Sequence, residues 1–340
     1  MNDKNVHACG SEFQLIQSFF AAPEQVSRPD LILGIGDDCA IVAPREQSNL
    51  AFSIDTLISG IHFPDDTPPE AIAYKALAVN LSDLAAMGAE PAWFTLSLTL
   101  PEVNDNISRE QWLEKFSQSL FSLARDHHIQ LIGGDTTRGP LSVTIQVCGY
   151  LDKHSAMQRS GAKPEDVIVV SGALGAASIG LEIALNKNDE QYTCLSRHDK
   201  QQALDALNYP QARVKEGLSL QKIAHSAIDL SDGLISDLGH ILKASDVGAE
   251  LLLEKIPLAA SLACLDRKAA WEKALTGGDD YELCFTLSEN DWCEIKNQYP
   301  HFIAIGTITA QKGLRLLEED AQGSGRQEYK IHTRGYDHFG

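Results

Sequence analysis

Aspartate recurs where apolar runs end, and the chemistry this allows is the strongest signal in the chain. Asp37 and Asp38 follow Gly34-Ile-Gly36, Asp55 follows Phe52-Ser-Ile54, and Asp135 follows Gly133-Gly134. Asp229 follows Ala227-Ile228, and Asp279 and Asp280 follow Gly277-Gly278. Asp83 lies in Asn80-Leu-Ser-Asp83 and Asp232 in Ser231-Asp232-Gly233. One aspartate at such a point is ordinarily a turn former or a helix cap. Several at strand ends would converge on one rim and repel one another. A hard divalent cation offsets that repulsion, since Mg²⁺ is held by a few carboxylates together with waters and substrate phosphates. Histidine and thiolate are missing from these clusters, which argues against zinc or copper. The mix of acid and glycine points to a site for Mg²⁺ and a polyphosphate.

Glycine has a second use. In Ser171-Gly-Ala-Leu-Gly-Ala-Ala-Ser178 it lets backbone N–H groups approach a phosphate at a helix start, or it lets helices pack closely. Arg159 and Lys163 flank Gly161 and are either phosphate partners or solvated loop cations. His62, after Gly60-Ile61, and Tyr336, in Gly335-Tyr-Asp-His-Phe339, fit packing as well as ligand contact. Common templates are absent: the sequence has no GxxxxGK[ST], HExxH or GxSxG, and Gly34-Ile-Gly36 is only half of a dinucleotide fingerprint.

Elements must position these residues, and composition bounds what they build. The chain has 340 residues, 44% of them apolar, enough for two cored domains at roughly 150 residues each. Lys and Arg number 28 against 47 Asp and Glu, giving 28 − 47 = −19. Such a charge disfavours nucleic acid and anionic membranes as partners. No stretch approaches the ~18 apolar residues of a membrane span. Met1–His7 has no apolar block of a signal peptide, so a cytoplasmic location is expected. The seven cysteines include no CxxC, and Cys148 and Cys284 read as buried small hydrophobes.

The Ser11/Gln14 capping box predicts a helix to Phe20, and Ser108/Gln111 predicts another carrying Trp112, Phe116, Leu120 and Ala124. A long helix is expected from Pro69 to Met87, stopped by Gly88. Strands are expected at Cys39–Ala43, Leu50–Ile54, Trp93–Leu100, Ile129–Ile132 and Leu141–Tyr150, the fourth stopping at Gly133-Gly134-Asp135. Polar Leu151–Asp166 divides an N-terminal domain (1–150) from a C-terminal one (151–340). The second half opens with Val167–Val170 and a helix through Leu185, with Asn186–Gln202 read as a loop. Strands at Ala227–Ile228 and Leu283–Leu287 flank a helix from Gly233 to Ala244, and Phe302–Ile308 reads as the last central strand. Strands and helices mix without strict βαβ alternation, so the expected class is α+β with mixed sheets.

The motifs, in order, resemble the thiamine-monophosphate kinases. They are Gly34-Ile-Gly-Asp-Asp38, Asp55 with Gly60-Ile-His-Phe63, Lys75 through Asp83 to Gly88, and Gly133-Gly-Asp-Thr-Thr-Arg-Gly139. Arg159-Ser-Gly-Ala-Lys163, Asp229-Leu-Ser-Asp-Gly233, Gly277-Gly-Asp-Asp-Tyr-Glu282 and the Tyr336 tail complete the set. The resemblance implies a two-domain fold like that of aminoimidazole ribonucleotide synthetase, forming a homodimer in which N-terminal sheets pair into a barrel. It implies phosphorylation of thiamine phosphate to thiamine diphosphate by ATP, assisted by Mg²⁺. It implies Asp38, Ser53, Asp55, Asp83, Asp135, Asp229 and Asp232 as metal ligands, with Asp55, Asp135 and Asp229 central to catalysis. Gly134, Asp135, Arg159 and Ser231 are implied for ATP, and His62, Asp279 and Tyr336 for thiamine phosphate. Two positions depart from the family pattern: Ile54 stands where a threonine is usual, and Asp279 where a glutamate is usual.

Overall fold

The computed structural model describes residues 12–21, 26–101, 108–185, 192–319 and 325–331. These form two compact units. One gathers the described residues up to Glu46 with Ile54–Leu77 and Pro91–Cys148. The other gathers Gln47–Ser53, Ala78–Glu90 and the described residues from Gly149 onward.

The first elements are α1 (Glu12–Leu15), continued by a wider π turn to Phe20, then β1 (Leu31–Leu33) and β2 (Ile41–Val42), an antiparallel ribbon. They are followed by β3 (Ser48–Ile58), α2 (Pro69–Met87), β4 (Glu90–Leu100), α3 (Arg109–Asp126), β5 (Gln130–Arg138) and β6 (Ser142–Asp152). Strands β3, β6, β4 and β5, in that spatial order, make a sheet in which β4 and β5 run parallel. The capping box of α3 forms as its sequence requires: Ser108 Oγ accepts the Gln111 N–H and Gln111 Oε1 accepts the Ser108 N–H, both at 3.2 Å. Its Leu113, Phe116, Leu120 and Ala124 are buried. Helix α2 is buried nearly all round, so the polar residues Lys75, Asn80 and Ser82 within it are buried too. Gly88 ends it at φ +68°.

Two strands run further than expected, and both carry candidate aspartates. Strand β3 continues through Asp55 to Ile58. Strand β5 passes through Gly133-Gly134-Asp135 instead of stopping there. A bulge makes this possible: pairing steps from Phe94 opposite Leu131 to Thr95 opposite Gly133, leaving Ile132 extra. Gly134 then lies so close to β4 that a Cβ would stand 1.9 Å from the Leu96 carbonyl oxygen. The rim of strand-end aspartates thus holds for Asp229 but not for Asp55 or Asp135. Along β3, Ser53, Asp55 and Leu57 share the more buried face, while Phe52 and Ile54 lie exposed on the other.

The second unit contains β7 (Val167–Val170), α4 (Ala176–Ala184), α5 (Arg197–Asn208), α6 (Val214–Leu220), β8 (Ser226–Asp229), α7 (Leu234–Ser245) and β9 (Gly248–Leu252). Then come α8 (Arg267–Thr276), β10 (Leu283–Leu287), α9 (Glu289–Ile295), β11 (Ile303–Thr309), β12 (Gly313–Glu319) and β13 (Arg326–Tyr329). Its sheet has the order β13-β12-β9-β11-β7-β10-β8, with β8 at an edge. Strands β9 and β12 pair parallel while β7, β10 and β8 pair antiparallel, so the sheet is mixed. The core includes Ile168, Val170, Ile228, Leu238, Ile241, Leu251, Trp271 and Ile305.

One expectation for this half needs correction. The stretch read as a loop contains the start of α5, capped by Ser196 with Asp199; residues 186–191 lie outside those described. Only Ala203 and Leu207 of α5 are buried, so its polar surface hid the helical period. Strand β11 lies in the middle of the sheet as expected, and β12 and β13 follow it toward one edge.

Candidate active site

The most constrained acidic group of the second unit stands where β8 ends. Asp229 is buried there, and its Oδ2 accepts a hydrogen bond from Ser82 Oγ at 2.8 Å. One residue along α2, Asp83 accepts the Ser53 hydroxyl at 2.5 Å through its own Oδ2. Burial pushes the Asp229 carboxyl up to about 7, and repulsion from Asp83 pushes in the same direction. The Ser82 hydroxyl and the positive charge of Arg159 partly oppose this. Ser53, Asp83, Arg159 and Asp229, distant in sequence, therefore share one electrostatic environment. Two neighbouring carboxylates, each accepting a serine hydroxyl, are hard oxygen donors, a set that suits Mg²⁺. Among the described residues, no three His, Cys, Asp or Glu side chains form a complete metal cluster by themselves.

The turn after β8 brings in Ser231 and Asp232. Asp237, in the first turn of α7, is buried, and its Oδ2 accepts the Asp232 N–H at 3.0 Å. It also accepts the Ser231 N–H. Burial first, then Asp229 and Asp232, raise the Asp237 carboxyl to about 7. Sequence reasoning missed Asp237, although an acid in the first turn of a helix is a recognisable position for one that serves backbone N–H groups. Asp279 joins the same turn: its N–H donates to the Ser231 carbonyl at 2.9 Å, and the Tyr281 N–H donates to that of Leu230 at 2.8 Å. Asp279 and Tyr281 have φ of +67° and +51°, left-handed values that are costly for a bulky tyrosine. The Tyr281 hydroxyl donates to Asp279 Oδ1 at 3.2 Å.

At the glycine run before α4, packing and a side-chain carboxylate fill the space. Asp280 occupies the helix start, its two carboxylate oxygens accepting the Gly175 N–H at 3.0 and 2.8 Å. Burial raises the Asp280 carboxyl well above the usual range, while the Gly175 and Ala177 N–H groups oppose the rise. A Cβ on Gly172 would stand 2.4 Å from the Glu282 carboxylate. Glu282 is itself locked, accepting Ser171 Oγ at 2.5 Å, Arg213 Nε at 2.8 Å and Arg213 Nη2 at 2.5 Å. Arg213 had no motif to announce it. Lys163 does not stand free for a phosphate either: its ammonium meets His225 Nε2 at 3.3 Å.

The remaining described candidates belong to the first unit. His62 Nδ1 accepts the Ile58 N–H at 3.1 Å, which leaves the ring proton on Nε2. Buried Lys75 donates to the His62 carbonyl at 3.4 Å. Asp135 lies exposed opposite Ser97, next to Gly134. Asp55 is half-buried on β3. Asp38 is exposed in the loop between β1 and β2, its N–H bound to Asp37 Oδ1 at 2.8 Å. Tyr336 lies outside the described residues.

Comparison with known proteins extends this picture. Residues 36–151 match the family "AIR synthase related protein, N-terminal domain", and residues 163–318 match its C-terminal counterpart. Thiamine-monophosphate kinase of Escherichia coli (strain K12) is 46% identical over 344 residues, covering 98% of this chain and 99% of the relative. This chain belongs to the thiamine-monophosphate kinase family. The crystal structure of thiamine-monophosphate kinase from Stenotrophomonas maltophilia K279a superposes with a TM-score of 0.80 at 42% identity, covering 90% of this chain and 96% of that one. The AaThiL structure, complexed with AMPPCP and TMP, superposes with a TM-score of 0.74 at 27% identity, covering 96% of both chains. The two-domain α+β fold expected from the sequence is therefore the fold of this family.

Proposed function

We propose that this chain transfers the γ-phosphoryl group of ATP to thiamine phosphate, giving ADP and thiamine diphosphate. The observation that carries the reading is the Asp83–Asp229 pair with its serine hydroxyls, in a chain of this family. By motif position, Asp38, Ser53, Asp55, Asp83, Asp135, Asp229 and Asp232 hold Mg²⁺. Bound there, the metal supplies charge neutralisation for two polyanions that must meet. Gly134, Asp135, Arg159 and Ser231 contact ATP, and His62, Asp279 and Tyr336 contact thiamine phosphate.

An acceptor oxygen of thiamine phosphate forms the new bond to the γ-phosphorus, and the bond to the β–γ bridging oxygen breaks, releasing ADP. The acceptor is a phosphate monoester with a second pKa of about 6, already largely dianionic at neutral pH, so no protein base is required. Positioning and charge compensation carry the catalysis. The His62 tautomer supports its role, because Nε2–H is a donor suited to a phosphate oxygen. Ile54 detracts little from the side chains of the metal set, since its own side chain faces away from those of Ser53 and Asp55. The domain spanning 1–150 would supply metal, ATP and dimer contacts, and 151–340 substrate contacts. A second copy covering the exposed Phe52 and Ile54 accounts for two large apolar side chains on β3 that are 62% and 60% exposed. The reaction suits a cytoplasmic enzyme.

The test is ³¹P NMR of the protein with ATP, Mg²⁺ and thiamine phosphate. The expected result is a new diphosphate pair appearing with ADP and abolished by EDTA. ADP and inorganic phosphate without thiamine diphosphate would overturn the acceptor assignment. Binding without turnover would overturn the catalytic one.

A further inference from the structure

Ser245, the last residue of α7, makes contacts unusual for a helix end. Its Oγ accepts the N–H groups of Gly161 and Ala162, each at 3.1 Å, and donates to the Arg159 carbonyl at 3.2 Å. A serine hydroxyl has one proton and two lone pairs, so these three bonds use its capacity fully. The clamped segment is anchored on either side. Before it, the Gln158 carbonyl accepts the Ala227 N–H of edge strand β8 at 2.9 Å. After it, the Lys163 N–H donates to Asp166 Oδ2 at 2.8 Å, and the same oxygen lies 2.8 Å from His225 Nδ1. Gly161 has φ +119°, and a Cβ there would meet the His225 carbonyl oxygen at 2.4 Å, so the chain passes β8 too closely for any other residue. The Arg159 backbone is thus fixed at its own carbonyl and at the amides two and three residues on. Its exposed side chain lies within electrostatic range of Asp229.

We propose that Ser245 is a positioning residue for ATP binding: by clamping the 159–162 backbone from the far end of α7, it sets where Arg159 presents its guanidinium. This rests on the assignment of Arg159 to ATP above. The same helix follows Ser231 and Asp232 at its N-terminus, so one element would hold both that turn and the backbone that carries Arg159.

Hydrogen exchange and ATP calorimetry on the full chain with Mg²⁺ test this. Ser245→Ala should speed exchange at the Gly161 and Ala162 amides at least about tenfold. ATP affinity should fall about fivefold, the equivalent of one lost hydrogen bond of about 1 kcal/mol. Thiamine phosphate affinity should stay unchanged, and Ser245→Thr, which keeps the hydroxyl, should restore both readouts. In an Arg159→Ala background, Ser245→Ala should cost no further ATP affinity. Unchanged exchange at the two amides would overturn the clamp. Faster exchange with unchanged ATP affinity, or an equal loss in both backgrounds, would overturn action through Arg159. If Arg159→Ala alone leaves ATP affinity intact, the proposal falls, whatever the ³¹P experiment shows. If the clamp and ATP results hold but no thiamine diphosphate forms, the proposal stands and the acceptor assignment fails.

Discussion

Asp237→Asn should make the metal-free protein more stable at alkaline pH while leaving it almost unchanged in acid. Asp237 is only 3% exposed, and its carboxyl is raised from an ordinary 3.8 to about 7, chiefly by burial. The gap is about 3 pH units. At about 1.4 kcal/mol each, ionising this group in the folded chain costs up to about 4 kcal/mol. The sign follows from linkage. A carboxyl whose folded pKa is raised contributes stability that is complete below about pH 4 and is lost as pH rises through about 7. Asparagine cannot ionise, so the variant escapes that loss. It keeps one carbonyl oxygen for the Ser231 and Asp232 amides in place of two carboxylate oxygens, which costs roughly 1 kcal/mol. The net expectation is about 1–3 kcal/mol of added stability at pH 8 and about zero or slightly negative at pH 4. At roughly 3 °C per kcal/mol, differential scanning calorimetry should show a Tm gain of about 3–9 °C at pH 8. Measurements belong in EDTA, so that no cation neutralises the neighbouring Asp229 and Asp232. A Tm difference that is the same at pH 4 and pH 8 would refute the assignment of the penalty to this carboxylate.

Three further outcomes follow from the same geometry. Arg213→Lys replaces a planar fork on buried Glu282 with a single ammonium, and should destabilise the second unit by roughly 2–4 kcal/mol; an unshifted urea midpoint would show the pair to be dispensable. Asp55→Ala and Asp229→Ala should each lower ADP release at least about 100-fold, and near-normal turnover at saturating Mg²⁺ would count against both as metal ligands. His62→Ala should leave ATP titrations unchanged but weaken thiamine phosphate binding about tenfold, so an unaltered thiamine phosphate titration removes His62 from the site.

How far a sequence reveals such a site depends on whether the relevant period is local. Helix α3 was legible because its cap and its apolar stripe both lie within one segment. Helix α5 was not, because two buried residues in twelve leave no stripe to see. The aspartates drew attention through their neighbours, but the partners that define them are remote. Asp229 meets Ser82, 147 residues earlier, and Glu282 meets Arg213, 69 residues earlier. No spacing encodes those pairs; the order of strands β7, β10 and β8 and the path of α2 create them. The glycine run at 171–178 shows the converse hazard, since its composition suits a phosphate until the fold places Asp280 on the helix start.

The two departures from the family pattern separate along the same line. The consequence of Ile54 was already present in the strand period: residues 53 and 55 share one face, and residue 54 must take the other. Exchanging a threonine for isoleucine there removes no side chain from the face that carries Ser53 and Asp55, and it adds apolar area to the exposed face beside Phe52. The consequence of Asp279 could not be read in this way. Its carboxylate is aimed by a left-handed backbone and by a hydroxyl two residues on, neither visible in residue type. A side chain one methylene shorter reaches less far, but the Tyr281 hydrogen bond limits where it can point. An aspartate held this way trades reach for rigidity. Substrate affinity at this position should therefore depend on the Tyr281 hydroxyl more than it would with a longer, freer glutamate.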